Sequence, residues 1–301
     1  MKLISGSSNS ILAKKLAETL KIEQLNVEIS RFSNGEKRVW INADQSKVKG
    51  QNIILVQSFT QPVDEHVMEF LLLVDALERL GARHINAIIP WLGYSIQDKV
   101  FREGEPLSAK VVANLISNSY IKRTFLLDLH NSSIPGFFSR PTHHLSAINL
   151  FAEYSKQKFD TGEVVVTSPD FGGLKRARQF AQLLDVPLSN IDKNRDLKTG
   201  EVTAIGLHGD VKDKKVLVFD DFINSGSTVI ETDRILKEHG AKSVHFFATH
   251  GLFVNNAFET LNKADLDEII ITDSVYHQDL PNYITPLSTA KLFADELSDW
   301  M

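Results

Sequence analysis

Residues Val216 to Ile230 read VLVFDDFINSGSTVI. An apolar run ends in two acids, Asp220 and Asp221. A loop of small residues follows, Asn224, Ser225, Gly226, Ser227 and Thr228, and a helical pattern opens at Val229. Small residues let backbone N–H groups converge on an anion, and a helix N-terminus behind them adds its positive dipole end. Acids at the carboxyl end of a strand lie where open α/β sheets bind ligands. They cannot grip a phosphate, but they accept hydrogen bonds from sugar hydroxyls. The parts together suit a ribose phosphate, with hydroxyls on the acids and the 5-phosphate in the loop. An ordinary βα turn with solvated acids is the other reading these residues permit.

Outward from this stretch, strand-like apolar runs alternate with helical spacing. Asn52–Gln57, His84–Pro90, Thr124–Leu129, Glu163–Thr167, Lys215–Phe219, Val244–Thr249 and Glu268–Thr272 read as strands. Asp64–Leu80, Leu107–Ser117, Leu174–Leu184 and Val229–His239 read as helices. The alternation predicts an α/β fold with largely parallel sheets. Two segments echo one another: Asn52 to Pro90 and Lys215 to His250 each read strand, turn, helix, Gly-Ala stop and strand. Glycine just past a helix is the expected stop. The first copy has Gln57-Ser58-Phe59-Thr60-Gln61-Pro62 at the turn, without an acidic pair or a glycine. They read as two related βαβ units of which only the second kept a sugar-phosphate site, chance likeness being the alternative. The halves are expected to meet near Pro141 to Ala147.

Composition narrows the class. The 301 residues, 43% hydrophobic and 24% charged, are those of a globular protein of one large domain or two smaller ones. Apolar runs such as Phe70 to Val74 fall far short of the roughly 20 residues a membrane span requires. The start, MKLISGSSNS, has no signal-peptide apolar region, so a cytoplasmic location and no membrane partner are expected. The absence of cysteine excludes disulfides and thiolate metal sites. A net charge of −5 argues against nucleic acid as a partner. A polyanionic ligand would then rest on local basic residues or on metal ions.

Five further segments accompany the loop. They are Arg31-Phe32-Ser33-Asn34-Gly35-Glu36; Gly93-Tyr94-Ser95-Ile96-Gln97-Asp98, running on through Lys99 and Arg102 to Lys110; Leu127-Asp128-Leu129-His130; Ser168-Pro169-Asp170-Phe171-Gly172-Gly173, ahead of Arg176 and Arg178; and Ile191-Asp192-Lys193-Asn194-Arg195. Singly, each has a plain explanation: a turn, a solvated charged loop, a structural histidine, surface charges. The 216–230 stretch resembles the phosphoribosyl-diphosphate loop of the phosphoribosyltransferase fold, which transferases, diphosphokinases and transcription regulators share. Jointly, in this order, the segments resemble the ribose-phosphate diphosphokinases from about Met1 to Thr272. Ala248-Thr249-His250-Gly251-Leu252-Phe253 and Ile271-Thr272-Asp273-Ser274 extend the likeness, and Gly104-Glu105-Pro106 resembles the short, archaeal-type branch.

The resemblance implies two tandem phosphoribosyltransferase-like domains, 1–145 and 146–301, each a largely parallel sheet flanked by helices. It implies transfer of a diphosphoryl group from Mg-ATP to O1 of ribose 5-phosphate, leaving AMP. Phe32, Asn34 and Glu36 would hold adenine in the site of a neighbouring subunit of a homodimer or larger homo-oligomer. Gln97, Asp98, Lys99 and Arg102 would contact the nucleotide. His130 and Asp170 would position Mg2+. Asp220, Asp221, Asn224, Ser225, Gly226, Ser227 and Thr228 would hold the acceptor, and Lys193 and Arg195 would lie on a flap over the transferring phosphates.

The chain departs from the family at several positions. Ile96 stands where an arginine is usual, Asn224 where many members carry an acid, and Ser227 where glycine is frequent. Ser227 can still offer its N–H if the loop needs no positive φ there. Ser139 and His143 replace acids of longer members, which calls an additional cation or regulatory site into question. The altered loop leaves a second acceptor, such as ADP-ribose, open beside ribose 5-phosphate. An inactive regulatory homologue is a third reading, against which the retained Lys193, Arg195, His130, Asp170 and both acids speak.

Overall fold

The computed structural model describes residues 1–195 and 202–300, with side chains at 193–195 and 202–205 outside the description. The chain divides into two compact units. One comprises 1–146, 273–276 and 288–301, the other 147–272 and 277–287.

The first unit contains β1 (Lys2–Ser5), α1 (Ser10–Leu20), β2 (Glu23–Gln24), β3 (Val27–Arg31), β4 (Lys37–Ile41), β5 (Asn52–Val56), α2 (Val63–Arg79), β6 (His84–Ile89), α3 (Ser108–Asn118), β7 (Ile121–Leu127) and β8 (Thr142–Leu145). Six strands pair in parallel in the order β2-β1-β5-β6-β7-β8, while β3 and β4 form a separate antiparallel hairpin. β5, reading NIILV, is buried at all but its first residue. Such an unbroken apolar run marks a central parallel strand covered on both faces.

The second unit contains α4 (Ile148–Lys158), β9 (Val164–Ser168), α5 (Leu174–Leu184), β10 (Leu188–Arg195), β11 (Val202–His208), β12 (Lys215–Ile223), α6 (Ser227–Glu238), β13 (Ser243–Gly251), α7 (Ala257–Leu261), β14 (Glu268–Thr272) and β15 (Ile284–Leu287). Seven strands run β11-β10-β9-β12-β13-β14-β15, parallel except for the β10–β11 pair. Phe151, Phe180, Phe219 and Phe247 fill its core, with ring centroids 4.6–5.8 Å apart.

A last helix, α8 (Ala290–Ser298), belongs to the first unit, so the tail does not follow the continuous 146–301 division. The reason is local. Asp273 Oδ1 accepts from both N and Oγ1 of Thr289, at 2.8 Å each, at the start of α8. The Asp273 carbonyl accepts from Nδ2 of Asn9, the residue that caps α1, at 2.7 Å. At the far end, His143 stands 3.0 Å from Glu296 and its ring meets Trp300 at 4.8 Å.

The internal echo is carried in the backbone. β5–α2–β6 and β12–α6–β13 are both parallel βαβ units. Gly81 and Gly240 follow the two helices with φ of 83° and 85°, a conformation that costs a glycine little. Their carbonyls accept from Gly50 N (2.8 Å) and Asp213 N (2.9 Å), and Arg83 N and Lys242 N reach back to Gln51 O and Lys214 O at 2.8 Å. Equivalent bonds thus lock the amino-terminal end of both units.

Candidate active site

At the carboxyl edge of the second sheet, β9 and β12 run side by side. β12 runs on past the expected Phe219 to Ile223 because it keeps pairing with β13, so Asp220 and Asp221 lie within its last residues. Asp170 lies just past β9. Its Oδ1 accepts from Gly173 N at 2.9 Å, ahead of α5, and its carbonyl accepts from Ser168 Oγ at 2.7 Å. A Cβ placed on Gly173 would lie 3.8 Å from an oxygen of Asp170 and 3.8 Å from one of Asp220, so the two carboxylates border one space. Asp221 is ion-paired with Arg176 of α5 at 2.8 Å, and its N–H is turned to Asp220 Oδ1 at 2.9 Å. Burial, then the charges of Asp221 and Asp170, hold the Asp220 carboxyl well above the usual range. Two carboxylates bordering one space, with Asp221 beside them on Arg176, favour a proton or donating hydroxyls. The sequence singled out Arg176 only as part of a motif; its pairing with Asp221 needed the fold.

The loop after β12 leads directly into α6. Gly226 caps α6 with φ of 82°, and a Cβ there would meet Leu261 Cδ2 at 2.8 Å. Both observations demand glycine at this position. The left-handed residue is therefore Gly226 and not Ser227, so Ser227 stands in helical backbone without strain. α6 starts at Ser227, two residues before the expected Val229, because Gly226 closes the turn and frees Ser227 and Thr228 to begin the helix. Ser225 and Ser227 hydroxyls lie 3.1 Å apart, and Asn224 is exposed.

β10 pairs with β9 only up to Asn190 and runs on to Arg195, past the end of β9, against antiparallel β11. The pairing register shifts between Asp192 and Lys193. The side chains of Lys193 and Arg195 lie outside the described residues.

In the first unit, Phe32, Asn34 and Glu36 form the tip of the β3–β4 hairpin. Phe32 N donates to Glu36 O at 2.9 Å, Glu36 N to Asn34 Oδ1 at 3.2 Å, and the Phe32 ring is half exposed. The Gln97–Arg102 loop follows β6. Gln97 accepts from Ser108 Oγ, and buried Asp98 accepts from Asn131 Nδ2. Asn131 adjoins His130, so Asp98 and the histidine segment are joined at the ends of β6 and β7. Lys99 and Arg102 are exposed, Arg102 N resting on Glu105 Oε2 at 3.1 Å. Exposed Ile96 makes no compensating polar contact by its chemistry. Arg31 and Tyr94 reach Glu65 and Asp64, so turn and loop are anchored on neighbouring carboxylates of α2.

Sequence reasoning missed the polar network at the carboxyl edge of β1 and β5. Fully buried Glu69 accepts from Ser7 N (2.6 Å), Ser7 Oγ (2.8 and 2.9 Å), Gln57 Nε2 (2.9 Å) and Lys37 Nζ (2.7 Å). Gln57 Oε1 takes the N–H and hydroxyl of Ser8, and Ser8 Oγ accepts from Ser58 N at 2.8 Å. The available signal was a glutamate on the core face of α2, between Val67 and Phe70, both buried.

No helix among the described residues is long and apolar enough to cross a membrane. Among the described residues there is also no group of three or more His, Asp and Glu arranged to hold a metal.

Comparison with known proteins gives a consistent result along the whole length. Residues 1–119 match the N-terminal domain of ribose phosphate pyrophosphokinase, and residues 142–279 match the phosphoribosyl transferase domain. The ribose-phosphate pyrophosphokinase of Fusobacterium nucleatum is 42% identical over 276 residues, covering 91% of this chain and 86% of the relative. That of Thermotoga maritima is 37% identical over 299 residues, covering 99% and 94%. A crystal structure of phosphoribosylpyrophosphate synthetase from Mycobacterium smegmatis superposes with a TM-score of 0.90 at 33% identity, over 99% of this chain and 98% of that one.

Proposed function

The chain belongs to the ribose-phosphate pyrophosphokinase family, and on that premise we propose that it transfers the diphosphoryl group of ATP to O1 of ribose 5-phosphate. The O1–Pβ bond forms, the Pβ–O bond to the α-phosphate breaks, AMP leaves, and the anomeric hydroxyl loses its proton. The observation that carries the reading is the edge where Asp170 and Asp220 border one space, with Asp221 held on Arg176, ahead of the 224–228 loop. Hydroxyls of a ribose satisfy the acids, while the 5-phosphate takes the N–H groups ahead of α6. The names of the full-length relatives favour ribose 5-phosphate over ADP-ribose, and an enzyme over an inactive homologue.

Attack at phosphorus builds charge on non-bridging oxygens, so catalysis consists mainly of positioning and electrostatic stabilisation. Lys193 supplies a compact charge and Arg195 a planar fork to those oxygens. Gln97, Asp98, Lys99 and Arg102 bind the nucleotide, while Phe32, Asn34 and Glu36 hold adenine for a neighbouring subunit of a cytoplasmic homodimer. His130 and Asp170 would hold Mg2+, which would supply neutralisation of the triphosphate charge. Incubation with Mg-ATP and either ribose 5-phosphate or ADP-ribose tests the reading: AMP and 5-phosphoribosyl 1-diphosphate should accumulate with the first. Preferential turnover of ADP-ribose, or no AMP with either acceptor, would overturn it.

A further inference from the structure

The sugar-phosphate loop rests on a segment that sequence reasoning assigned no task. Beyond β13 the chain turns back beneath the loop. Leu252 N and Phe253 N donate to Ile223 O at 2.8 and 3.3 Å, and Val254 N donates to Asn224 O at 3.1 Å. Leu261 of α7 closes against Gly226. The start and the middle of the loop are thus held by residues 252–261. This segment is itself bent, with φ of 44° at Phe253 and 56° at Asn255. Left-handed backbone is unfavourable for a bulky side chain such as phenylalanine and persists only where its surroundings impose it.

His277 supplies that restraint. Its Nε2 lies 2.7 Å from Gly251 O, and its ring meets those of Phe253 and Phe258 at 5.2 and 5.8 Å. A carbonyl only accepts, so Nε2 carries the proton. Burial lowers the affinity of the ring for a second proton, which keeps it in this neutral form. Gly251 O and Leu252 N belong to one peptide group. His277 bonds its carbonyl side and Ile223 accepts from its amide side, so the two bonds orient and polarise one plane.

We infer that His277 is a positioning residue for the sugar-phosphate loop, acting through the Gly251–Leu252 peptide on Ile223 and Asn224. The inference rests on the reading that the 224–228 loop binds ribose 5-phosphate. Its test is the separate measurement of KM for ribose 5-phosphate and for ATP in His277→Phe, which keeps a ring and loses the donor. KM for ribose 5-phosphate is expected to rise about 10-fold, with KM for ATP changed less than about 2-fold, since small misplacements of binding groups are costly. His277→Gln, whose amide reaches the same carbonyl, should recover most of the loss. If His277→Phe does not fold, His277→Asn, with its shorter amide, replaces it in the comparison with His277→Gln. An unchanged KM for ribose 5-phosphate in folded protein, or an equal rise for both substrates, would overturn the inference. Gly226→Ala separates the underlying reading: unchanged ribose 5-phosphate affinity there would remove the loop from the acceptor site whatever His277 does.

Discussion

The βαβ unit from Asn52 to Ile89 and that from Lys215 to Gly251 share a frame and differ at one edge. At the amino-terminal end the two match bond for bond, through Gly81 and Gly240. At the carboxyl end of the first, Glu69 is saturated by Ser7, Gln57 and Lys37. At the carboxyl end of the second, Asp220 faces Asp221 and Asp170, with Arg176 set on Asp221. One edge has its ligands built in as side chains; the other keeps like charges together. Like charges held together at a strand edge lower stability, and such conflicts are kept where function requires them. The closed edge shows how the same frame looks once that conflict is removed.

The sharpest way to break this comparison is activity. Asp221→Ala is expected to lower kcat/KM for ribose 5-phosphate by about 10²-fold or more, because a hydroxyl acceptor and the Arg176 partner vanish together. Glu69→Gln should cost less than about 10-fold, since it keeps one acceptor oxygen outside the acceptor site. Equal losses in folded proteins would mean that both edges work on substrate.

Stability should respond in the opposite sense. Glu69→Leu takes the 2.7 Å partner from largely buried Lys37, leaving only Glu65 at 3.6 Å, and is expected to cost about 2–4 kcal/mol in denaturant unfolding, with Lys37→Met/Glu69→Leu regaining much of it. Burial pushes the Glu69 carboxyl up, but the Lys37 ammonium and the Ser7 donors outweigh it and hold it below the usual value. A lowered folded value means that the stabilisation is present above the ordinary glutamate range and is lost as pH falls through the folded value. Glu69→Gln should therefore flatten the loss of stability between about pH 5 and about pH 3. A curve parallel to that of the parent would place the acid sensitivity elsewhere.

The smallest effect concerns Asp220. Its raised value means that the folded state prefers the proton, so stability falls as pH climbs from the ordinary aspartate range through the folded value. Asp220→Asn removes that conflict and is expected to raise the Tm of ligand-free protein by about 1–3 °C near pH 8, while reducing activity. A lower Tm would show that the ionised acid is already compensated.

The parts legible in the sequence are those whose signal is local. β5, β6 and β14 announce themselves as short apolar runs bounded by turns, and Gly226 and the Gly81 and Gly240 stops stand where backbone geometry demands them. The position of the acids just ahead of the loop follows from the apolar run that carries them, although the strand continues past them to Ile223. Glu69 was not legible, because a buried glutamate on a helix declares its partners only after residues 7, 37 and 57 have been brought to it. The antiparallel β10–β11 pair breaks the parallel alternation, and its polar residues carry no periodic pattern. His277 is a single residue after an ordinary strand, and its partner, Gly251, is fixed only by the turn beneath the loop.

The return of α8 to the first unit has a consequence for synthesis. The second unit is spelled out within the first, since residues 273–276 and 288–301 complete what residues 1–146 begin. A ribosome making this chain from its amino end therefore finishes the second unit's contiguous core before the first has its last helix. During that interval the surface of α1 that receives α8 has no cover, and Asn9 has no Asp273 carbonyl to hold. The part of the protein that is translated first is the part that matures last.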